Sequence, residues 1–558
     1  MSFLHHCPPL TTAAEMREWD ACSLRAGIPE MVLMENAAQA ALSVLIQEKG
    51  PLTGQKICLL MGGGNNGGDA ACLARRLLGQ GALPLVLHTR PLRAYTGTTG
   101  RHVRAARACG TPFYALGGQA AHTFATLSAH PLWRDWAQAT ILVDGLLGTG
   151  FHGPLRPAMA ALLAAVNQWS ARPHNTAFVL ALDIPSGLDA DSGTASPSAL
   201  HAHATVTFQA AKVGLYMPSA QAYTGRVRVV DIGIPPCAQA AAPASFRLLD
   251  VQSIRAKDHT AFVSALAPLP ASQSYKNAFG HVLIVGGSAG LTGAAHLAAR
   301  AALRTGAGLV TVAAPASLCT EIKAGLPDCM TLPLGTSESS AWPTELSPAM
   351  ITCLERCTSL VIGCGMGRTV QAAAFLHALL SHPRRPLAVI DADALHLLPL
   401  NALGPHDILT PHPGEAGALL HTPSADIQAD RVAALRALCM LAPAVWIIKG
   451  ANTLVGQHQA SQGFHMLVSP YRVSTLSVGG TGDVLSGCLG ALMAHAAGRQ
   501  ETEAPHKVLE IAALGVILHA EAGACLTQDY PLRGNLASQV AEKLPQAMAI
   551  LTRSLHAD

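Results

Sequence analysis

The chain of 558 residues is too long for one ordinary domain, so we expect two or three. Half of its residues are hydrophobic and its formal net charge is only +3, which fits a globular protein and argues against a nucleic-acid-binding one. The 14 cysteines contain no C-x-x-C pair, so we expect reduced thiols and no zinc site. Without a secretory signal or an uninterrupted apolar run of about 18 residues, the sequence predicts a cytoplasmic protein with no membrane span.

The first glycine-rich turn follows a predicted strand at residues 56–61 and precedes a predicted helix at 70–78. Two helices, at 13–26 and 31–47, are predicted before it. Residues 62–67 of the turn fit G-x-G-x-x-G, which is typical of dinucleotide binding, but the ribose-binding acid expected about 20 residues later is missing. The amide and carboxylate oxygens in this turn suit a hard cation or a ribose as well as they suit a turn.

Two further strands of the first half end in acidic turns. The strand at 140–143 leads to Asp144, and the strand at 177–182 leads to Asp183 and then Ser186. Ligands of an open parallel sheet lie beyond the carboxyl ends of its strands, so Asn66, Asp144 and Ser186 could converge on one site. The alternative for each acid taken singly is a helix cap.

The sequence pattern then changes, and a second domain is predicted to follow. Residues 237–250 are rich in small residues and proline without periodicity, and we interpret them as a linker between domains at 1–236 and 251–558. Strands alternate with helices from residue 281 onward, which predicts a second, mostly parallel sheet covered on both faces.

The second half contains the stretch Gly479-Gly480-Thr481-Gly482-Asp483, directly before an apolar helix predicted at 485–496. A helix N-terminus holds phosphate, and a carboxylate on its first turn can take a proton from a hydroxyl that attacks phosphorus. Asp483 could instead serve only as a helix cap. Lys449, at a strand end, can neutralise phosphate charge, and His412, held between two prolines, is a candidate ligand contact.

A competing motif is Gly286-Gly287-Ser288-Ala289-Gly290, which fits the nucleophile elbow of serine hydrolases. Asp391 and His412 follow it in the hydrolase order. This interpretation leaves Lys449 and Asp483 without a role.

Taken together, the motifs resemble a known family. Those at 33–36, 65–69, 144–150, 183–187 and 212–214 resemble the epimerase domain that acts on hydrated NADH and NADPH (NAD(P)HX). Those at 285–288, 292–295, 301–310, 391–395, 410–415, 449–450 and 479–484 resemble the nucleotide-dependent dehydratase for the same hydrates. The whole chain is similar to the bifunctional hydrate repair enzymes of bacteria. The implied fold class is α/β, with an N-terminal Rossmann-like three-layer domain followed by a C-terminal ribokinase-like α/β domain.

The resemblance also implies roles for individual residues. In the epimerase half, Asp183 would be catalytic, a potassium ion would bind near Asn66, Asp144 and Ser186, and the hydrate would contact Asn65, Asn66, Gly67, Gly68, Asp69, Gly148, Thr149, Gly150, Phe151, His152, Gly153, Pro154 and Asp183. In the dehydratase half, Asp483 would be the base, the hydrate would contact Ala294, Gly365, Gly367, His412 and Asp483, and ADP with magnesium would contact Lys449, Gly450, Ala451, Asn452, Thr453 and Gly482.

The chain departs from the family pattern at Ala70, at residues 363–367, at residues 474–478 and at residues 519–524. A ribokinase-like small-molecule kinase with a Rossmann-like ligand-binding half is the alternative function. We expect a homo-oligomer whose ligands are NAD(P)HX and ADP, without a nucleic acid or membrane partner.

Overall fold

The computed structural model describes residues 3–116, 137–172, 177–266, 279–461, 463–498 and 505–553. The chain forms two compact units. The first unit is Pro9–Phe246, and the second combines Met1–Pro8 with Arg247–Asp558. The first eight residues therefore belong with the C-terminal part of the chain, which the sequence did not indicate.

The first unit is built on strands and helices that alternate along the chain. Its strands are β1 Pro9–Thr11, β2 Lys56–Met61, β3 Leu83–His88, β4 Phe113–Ala115, β5 Ile141–Gly145, β6 Phe178–Leu182, β7 Ala204–Phe208, β8 Ala211–Lys212 and β9 Arg226–Val230. Its helices are Ala13–Arg25, Glu30–Lys49, Asn65–Leu78, Gly97–Ala108, Pro157–Ser170, Gln221–Thr224 and Pro236–Ala241, with 3-10 turns at Leu92–Ala94, Val213–Tyr216 and Pro218–Ala220.

Seven of these strands form one sheet in the order β4-β3-β2-β5-β6-β7-β9, and every neighbouring pair is parallel. Alternate residues of a strand point to opposite faces. Leu59 and Val143 therefore pack in one hydrophobic cluster while Leu60 and Leu142 pack in another. A sheet with an apolar cluster on each face confirms the predicted three-layer α/β architecture.

The predicted elements of this unit are observed with one difference that matters for the site. Strand β2 has the predicted bounds, and the break at Pro29 separates two helices as expected. The helix after β2 begins at Asn65 rather than at residue 70. Asn65 and Asn66 therefore lie on the first turn of a helix and not in a loop. The glycine turn is tight, because a Cβ on Gly62 would lie 1.7 Å from the carbonyl oxygen of Leu146.

The second unit is larger. Its strands are β10 Phe246–Leu248, β11 His281–Val285, β12 Leu309–Pro315, β13 Met330–Leu334, β14 Ser359–Ile362, β15 Leu387–Ile390, β16 Ile408–Leu409, β17 Val445–Ile448, β18 Leu454–Gln459 and β19 Gly463–Val468. Its helices are Val251–Leu266, Thr292–Arg304, Cys319–Ala324, Pro348–Arg356, Val370–Leu380, Asp393–His396, Pro413–Leu420, Ser424–Ala429, Arg431–Leu441, Thr481–Gly498, Pro505–Cys525 and Ala537–Thr552. Its 3-10 turns are Phe3–His6, Ala316–Leu318, Leu400–Ala402 and Ser474–Leu476.

The sheet of the second unit runs β13-β12-β11-β14-β15-β16-β17-β18-β19. The strands are parallel from β13 to β17, and β18 and β19 add an antiparallel hairpin. Helix Thr481–Gly498 packs closely on helix Thr292–Arg304, because Gly487 has no side chain to separate them. A Cβ on Gly487 would lie 2.0 Å from the carbonyl oxygen of Ala298. This packing fixes the helix whose first turn carries Asp483.

Residues 237–250 differ from the predicted linker, because helix Pro236–Ala241 and strand β10 occupy part of them. The indole Nε1 of Trp19 also donates a hydrogen bond to the carbonyl of Ala242, at 2.7 Å. All 14 cysteines are free. Among the described residues, one stretch, Lys507–Cys525, is long and apolar enough to cross a membrane, but 83% of it is buried in the protein, as in the core helix of a globular domain.

Candidate functional sites

A cavity of about 1030 Å³ opens in the first unit beyond the carboxyl ends of β2, β5 and β6. Ten of the thirteen residues predicted to contact the hydrate line it: Asn65, Asn66, Asp69, Gly148, Thr149, Gly150, Phe151, His152, Pro154 and Asp183. Gly67 and Gly68 do not line the cavity, and a Cβ on Gly68 would meet the side chain of Met34. Gly153 occupies an exposed turn with φ +73°. Most of the residues that the resemblance implies for the hydrate therefore lie around one cavity.

Asn66, Asp144 and Ser186 are brought together beside this cavity. The amide of Asn66 donates to the carbonyls of Leu147, at 2.8 Å, and Leu182, at 3.0 Å. The hydroxyl of Ser186 accepts a bond from the Leu147 amide and donates to Asp144 Oδ1, at 2.6 Å. Of the three predicted metal ligands, only Asn66 lines the cavity itself.

The donor set of this cluster suits a cation. Asn66 Oδ1 is buried without a hydrogen-bond partner. Asp144 is fully buried, and burial raises the pKa of its carboxyl although Ser186 and Leu146 donate hydrogen bonds to it. A buried carboxylate and an unpaired amide oxygen are the hard oxygen ligands that an alkali or alkaline-earth cation accepts.

Asp183 lies at the carboxyl end of β6 in a left-handed backbone conformation, with φ +62°. Its Oδ1 accepts hydrogen bonds from the Thr207 hydroxyl and the Phe208 amide, both at 3.2 Å, and from the ammonium of Lys212. Lys212 is fully buried, although lysine is almost never buried without a charged partner. The sequence placed Lys212 in a motif but gave it no role.

Two further carboxyl groups face the same cavity. Burial raises the pKa of Asp20 to about 6, with Lys212 opposing and Asp183 adding to the effect. Burial, followed by the charges of Asp183 and Asp20, raises the pKa of Asp69 well above its usual value. Asp20 was missed because nothing in helix Ala13–Arg25 shows from sequence which of its polar residues faces inward.

His152 is held at the mouth of the cavity, where its Nδ1 lies 2.9 Å from Asp189 Oδ2. Half of the imidazole side chain, 49%, is exposed. The contact therefore anchors the loop that carries the predicted substrate residues.

In the second unit, three predicted strand-end or helix-end residues form one charged cluster. The Lys449 ammonium lies 2.5 Å from Asp391 Oδ1, and the Ser486 hydroxyl donates to Asp391 Oδ2 at 2.6 Å. Burial alone would raise the pKa of Asp391, but Lys449 brings it below the usual value. Burial and the neighbouring Asp391 raise the pKa of Asp483 to about 7. Asp483 is thus a carboxyl group that can exchange a proton near neutral pH.

A cavity of about 330 Å³ lies beside this cluster. Five of the six predicted nucleotide contacts line it: Lys449, Gly450, Ala451, Thr453 and Gly482. The exception is Asn452, which is fully buried and whose amide donates to the Ser469 carbonyl at 3.2 Å. Tyr471, Arg472 and His519 also line the cavity and were not predicted.

The residues of this unit that were predicted to contact the hydrate do not all lie together. Ala294 and Gly365 are neighbours, since a Cβ on Gly365 would lie 3.0 Å from that of Ala294. The Gly367 amide donates to Asp393 Oδ2 at 2.9 Å. His412 caps helix Pro413–Leu420, its Nδ1 accepting from the amide of Gly414 at 3.0 Å. None of these residues lines the 330 Å³ cavity.

The contacts do not assemble the hydrolase triad. Asp391 is engaged by Lys449 and Ser486, and the Nδ1 of His412 is used as a helix cap. A triad needs the acid to orient the histidine, and here neither partner is available to the other.

Two α/β units, each with a cavity and clustered carboxyl groups at the carboxyl ends of its strands, define an enzyme with two sites. The family model described as YjeF-related protein N-terminus matches residues 30–214, and the NAD(P)H-hydrate dehydratase model matches residues 282–546. The bifunctional NAD(P)H-hydrate repair enzyme of Moorella thermoacetica is 32% identical over 97% of this chain and 96% of its own. That of Coxiella burnetii is 32% identical over 94% of this chain and 96% of its own.

The chain belongs to the family of bifunctional NAD(P)H-hydrate repair enzymes. Among solved structures, a ribokinase-like superfamily protein from Enterococcus faecalis aligns with 55% of this chain and 96% of its own, with 22% identity and a TM-score of 0.44.

Proposed function

We propose that the Pro9–Phe246 unit interconverts the R and S epimers of NAD(P)HX, and that the unit containing Arg247–Asp558 dehydrates the S epimer with ADP. The observation that carries the proposal is the match to the repair family along nearly the whole chain, with a cavity in each unit. The products would be NAD(P)H, AMP and phosphate.

In the first unit, Asp183 serves acid–base exchange at the nicotinamide ring. The hydrogen bonds that the structure gives it all go to Oδ1, so Oδ2 is the atom left for the substrate. Lys212 holds the carboxylate in place and keeps a positive charge beside it. The N-terminus of helix Asn65–Leu78 and the loop at 148–154 would hold the phosphates and the ribose.

A potassium ion would be held by Asn66 Oδ1, the Asp144 carboxylate and the Ser186 hydroxyl. The unpaired Asn66 oxygen and the buried Asp144 support this assignment. When bound, the ion supplies positive charge that offsets the buried carboxylate and stiffens the loop carrying Leu147.

In the second unit, Asp483 takes the proton of the hydrate hydroxyl as its oxygen attacks the β-phosphorus of ADP, and the phosphorus–oxygen bond to AMP breaks. Phosphate then leaves the ring carbon, driven by the lone pair of the ring nitrogen, and loss of the neighbouring proton restores the dihydronicotinamide. Phosphate is a far better leaving group than hydroxide, which is why the nucleotide is needed.

Lys449 would neutralise the transferred phosphate. Its Nζ would lie 3.3 Å from a Cβ on Gly482, which puts the ammonium at the N-terminus of helix Thr481–Gly498. Magnesium would enter with the phosphates of ADP. We assign it no protein ligand, because both oxygens of Asp391 are already engaged.

We further infer a cytoplasmic homo-oligomer that acts on small-molecule ligands, without nucleic acid or a membrane as a partner. The small net charge supports the absence of a nucleic-acid partner, and the 14 free cysteines support a reducing compartment.

The test is to incubate the purified protein with mixed R and S NADH hydrate, magnesium, potassium and ADP, and to follow NADH absorbance. We expect complete recovery from both epimers, and none with Asp483→Asn. Recovery of the S epimer alone would refute the epimerase assignment. No recovery with ADP or ATP, together with a stable phosphorylated product, would favour the kinase alternative.

A further inference from the structure

The glycine-rich turn after strand β2 has an arginine side chain lying against it. Strands β2 and β3 are adjacent and parallel, and their last residues, Met61 and His88, are paired. The segments that follow the two strands are therefore neighbours, and the Thr89 amide donates a hydrogen bond to the Met61 carbonyl at 3.1 Å. A Cβ on Gly63 would lie 2.3 Å from the Nε of Arg90. Both residues line the cavity of about 1030 Å³.

The backbone of Arg90 is held in place while its side chain is exposed. The Arg90 amide donates to the hydroxyl of Tyr95 at 3.3 Å, and the Nδ1 of the buried His88 lies 2.7 Å from the Arg90 carbonyl oxygen. In the part of the chain that the structure describes, no carboxylate forms an ion pair with the Arg90 guanidinium. A cation in a fixed position at the cavity is therefore available to an anionic group of a ligand.

The position of Arg90 in the fold indicates which anionic group it meets. In a dinucleotide-binding unit, the residue that contacts the ribose 2′ position follows the glycine turn by about 20 residues. An acid there binds the 2′-hydroxyl of NAD, whereas an arginine nearby accommodates the 2′-phosphate of NADP. Strand β3 ends at His88, and Thr89 and Arg90 follow it where an acid would stand for NAD. A guanidinium also donates two parallel hydrogen bonds to phosphate oxygens.

We propose that Arg90 binds the 2′-phosphate of NADPHX, so that the first unit favours NADPHX over NADHX. The proposal rests on the epimerase function assigned above and names the form of the substrate that this site prefers. Arg90 acts as a specificity-determining residue, because it would contact the ribose end of the ligand and not the nicotinamide ring that reacts.

The other cations of the cavity are less suited to this role. Lys212 and His152 are each engaged by an aspartate. Arg17 and Arg156 also line the cavity, but they come from elements that contain neither the glycine turn nor β3. These two arginines are therefore the alternatives that an experiment must separate from Arg90.

The test is isothermal titration of the full chain with NADP+ and with NAD+, which differ only in the 2′-phosphate. ADP is kept present to occupy the second unit. We expect wild type to bind NADP+ more tightly than NAD+. Arg90→Ala should weaken NADP+ binding by at least about tenfold and leave NAD+ binding within about twofold. Arg90→Asp should reverse the preference, because a carboxylate repels the phosphate and accepts a hydrogen bond from the 2′-hydroxyl.

Arg93→Ala is the matched control. Arg93 lies three residues further along, is exposed and does not line the cavity, so its loss removes the same charge without touching the ligand. This variant should bind both cofactors as wild type does. The proposal would be overturned by equal affinities for NADP+ and NAD+ in wild type, by an equal loss of both in Arg90→Ala, or by a selective loss of NADP+ in Arg17→Ala or Arg156→Ala instead.

Epimerisation of the two hydrates separates this proposal from the assigned function. We expect Arg90→Ala to lower kcat/KM for NADPHX and to leave kcat/KM for NADHX nearly unchanged. If NADP+ binding behaves as expected but wild type epimerises neither hydrate, the epimerase function fails and the role of Arg90 stands. If wild type epimerises both hydrates and Arg90→Ala lowers kcat/KM for both alike, the function stands and the role of Arg90 fails.

Discussion

The buried ammonium of Lys212 donates a hydrogen bond to Oδ1 of Asp183, and both residues line the cavity of the first unit. A cation in this position must be paired, because an isolated charge in the interior is strongly destabilising. The pair therefore links the stability of the first unit to its proposed chemistry.

Replacing Lys212 with methionine tests that link. We expect epimerisation to be lost and the free energy of unfolding to fall by about 3 kcal/mol, because Asp183 is left without its buried partner. Chromatographic separation of the R and S hydrates measures the first effect, and urea denaturation the second. Lys56→Met is the control, since the ammonium of Lys56 makes an exposed contact with Gln138 rather than a buried one with a carboxylate. Wild-type epimerisation in Lys212→Met would contradict the assigned role.

The pKa of Asp483, raised to about 7, predicts how dehydration depends on pH. A general base works only when ionised, so the rate should rise with pH through about 7 and fall about tenfold for each unit below it. The measurement is kcat at saturating ADP, from about two pH units below that pKa to about two pH units above it. A dehydration rate that does not change across this range, or that falls as pH rises through about 7, would contradict the role of Asp483 as the general base.

Potassium should stabilise the protein through the cluster of Asn66, Asp144 and Ser186. A ligand that binds only the folded state raises the melting temperature, so we expect a higher Tm in potassium chloride than in choline chloride. Ser186→Ala should remove most of that difference. Ser192→Ala, which removes a hydroxyl bound to Asp189 instead, should retain it. An equal Tm in both salts for the wild type would refute the cation site.

Two glycines with positive φ should differ sharply in their tolerance of alanine. A Cβ on Gly363 would lie 1.9 Å from the carbonyl oxygen of Asp391, whereas one on Gly290 meets nothing within 4 Å. Gly290→Ala should therefore cost only about 1 kcal/mol of backbone strain. Gly363→Ala should cost several times as much and reduce dehydration, because Asp391 must move. Equal unfolding midpoints in urea would show that the turn adjusts freely.

The sequence by itself determined the local elements and the family. Strand β2 has the predicted bounds, because the apolar run of five residues at 57–61, followed by glycine, has few alternatives. Asp483 lies on the first helical turn as predicted, because glycine before an apolar helical pattern marks a helix start. The rule that ligands lie beyond the carboxyl ends of parallel strands likewise predicted that Asn66, Asp144 and Ser186 come together.

Only the tertiary structure decided which side chains meet. His412 serves as a helix cap, Asn452 is buried and does not line the 330 Å³ cavity, and Asp20 lines the cavity of the first unit. The hydrogen bond between Ser486 and Asp391 joins residues 95 positions apart. Such contacts, and the pKa values that follow from them, depend on how helices and strands pack and on how deeply each group is buried, and local sequence patterns specify neither.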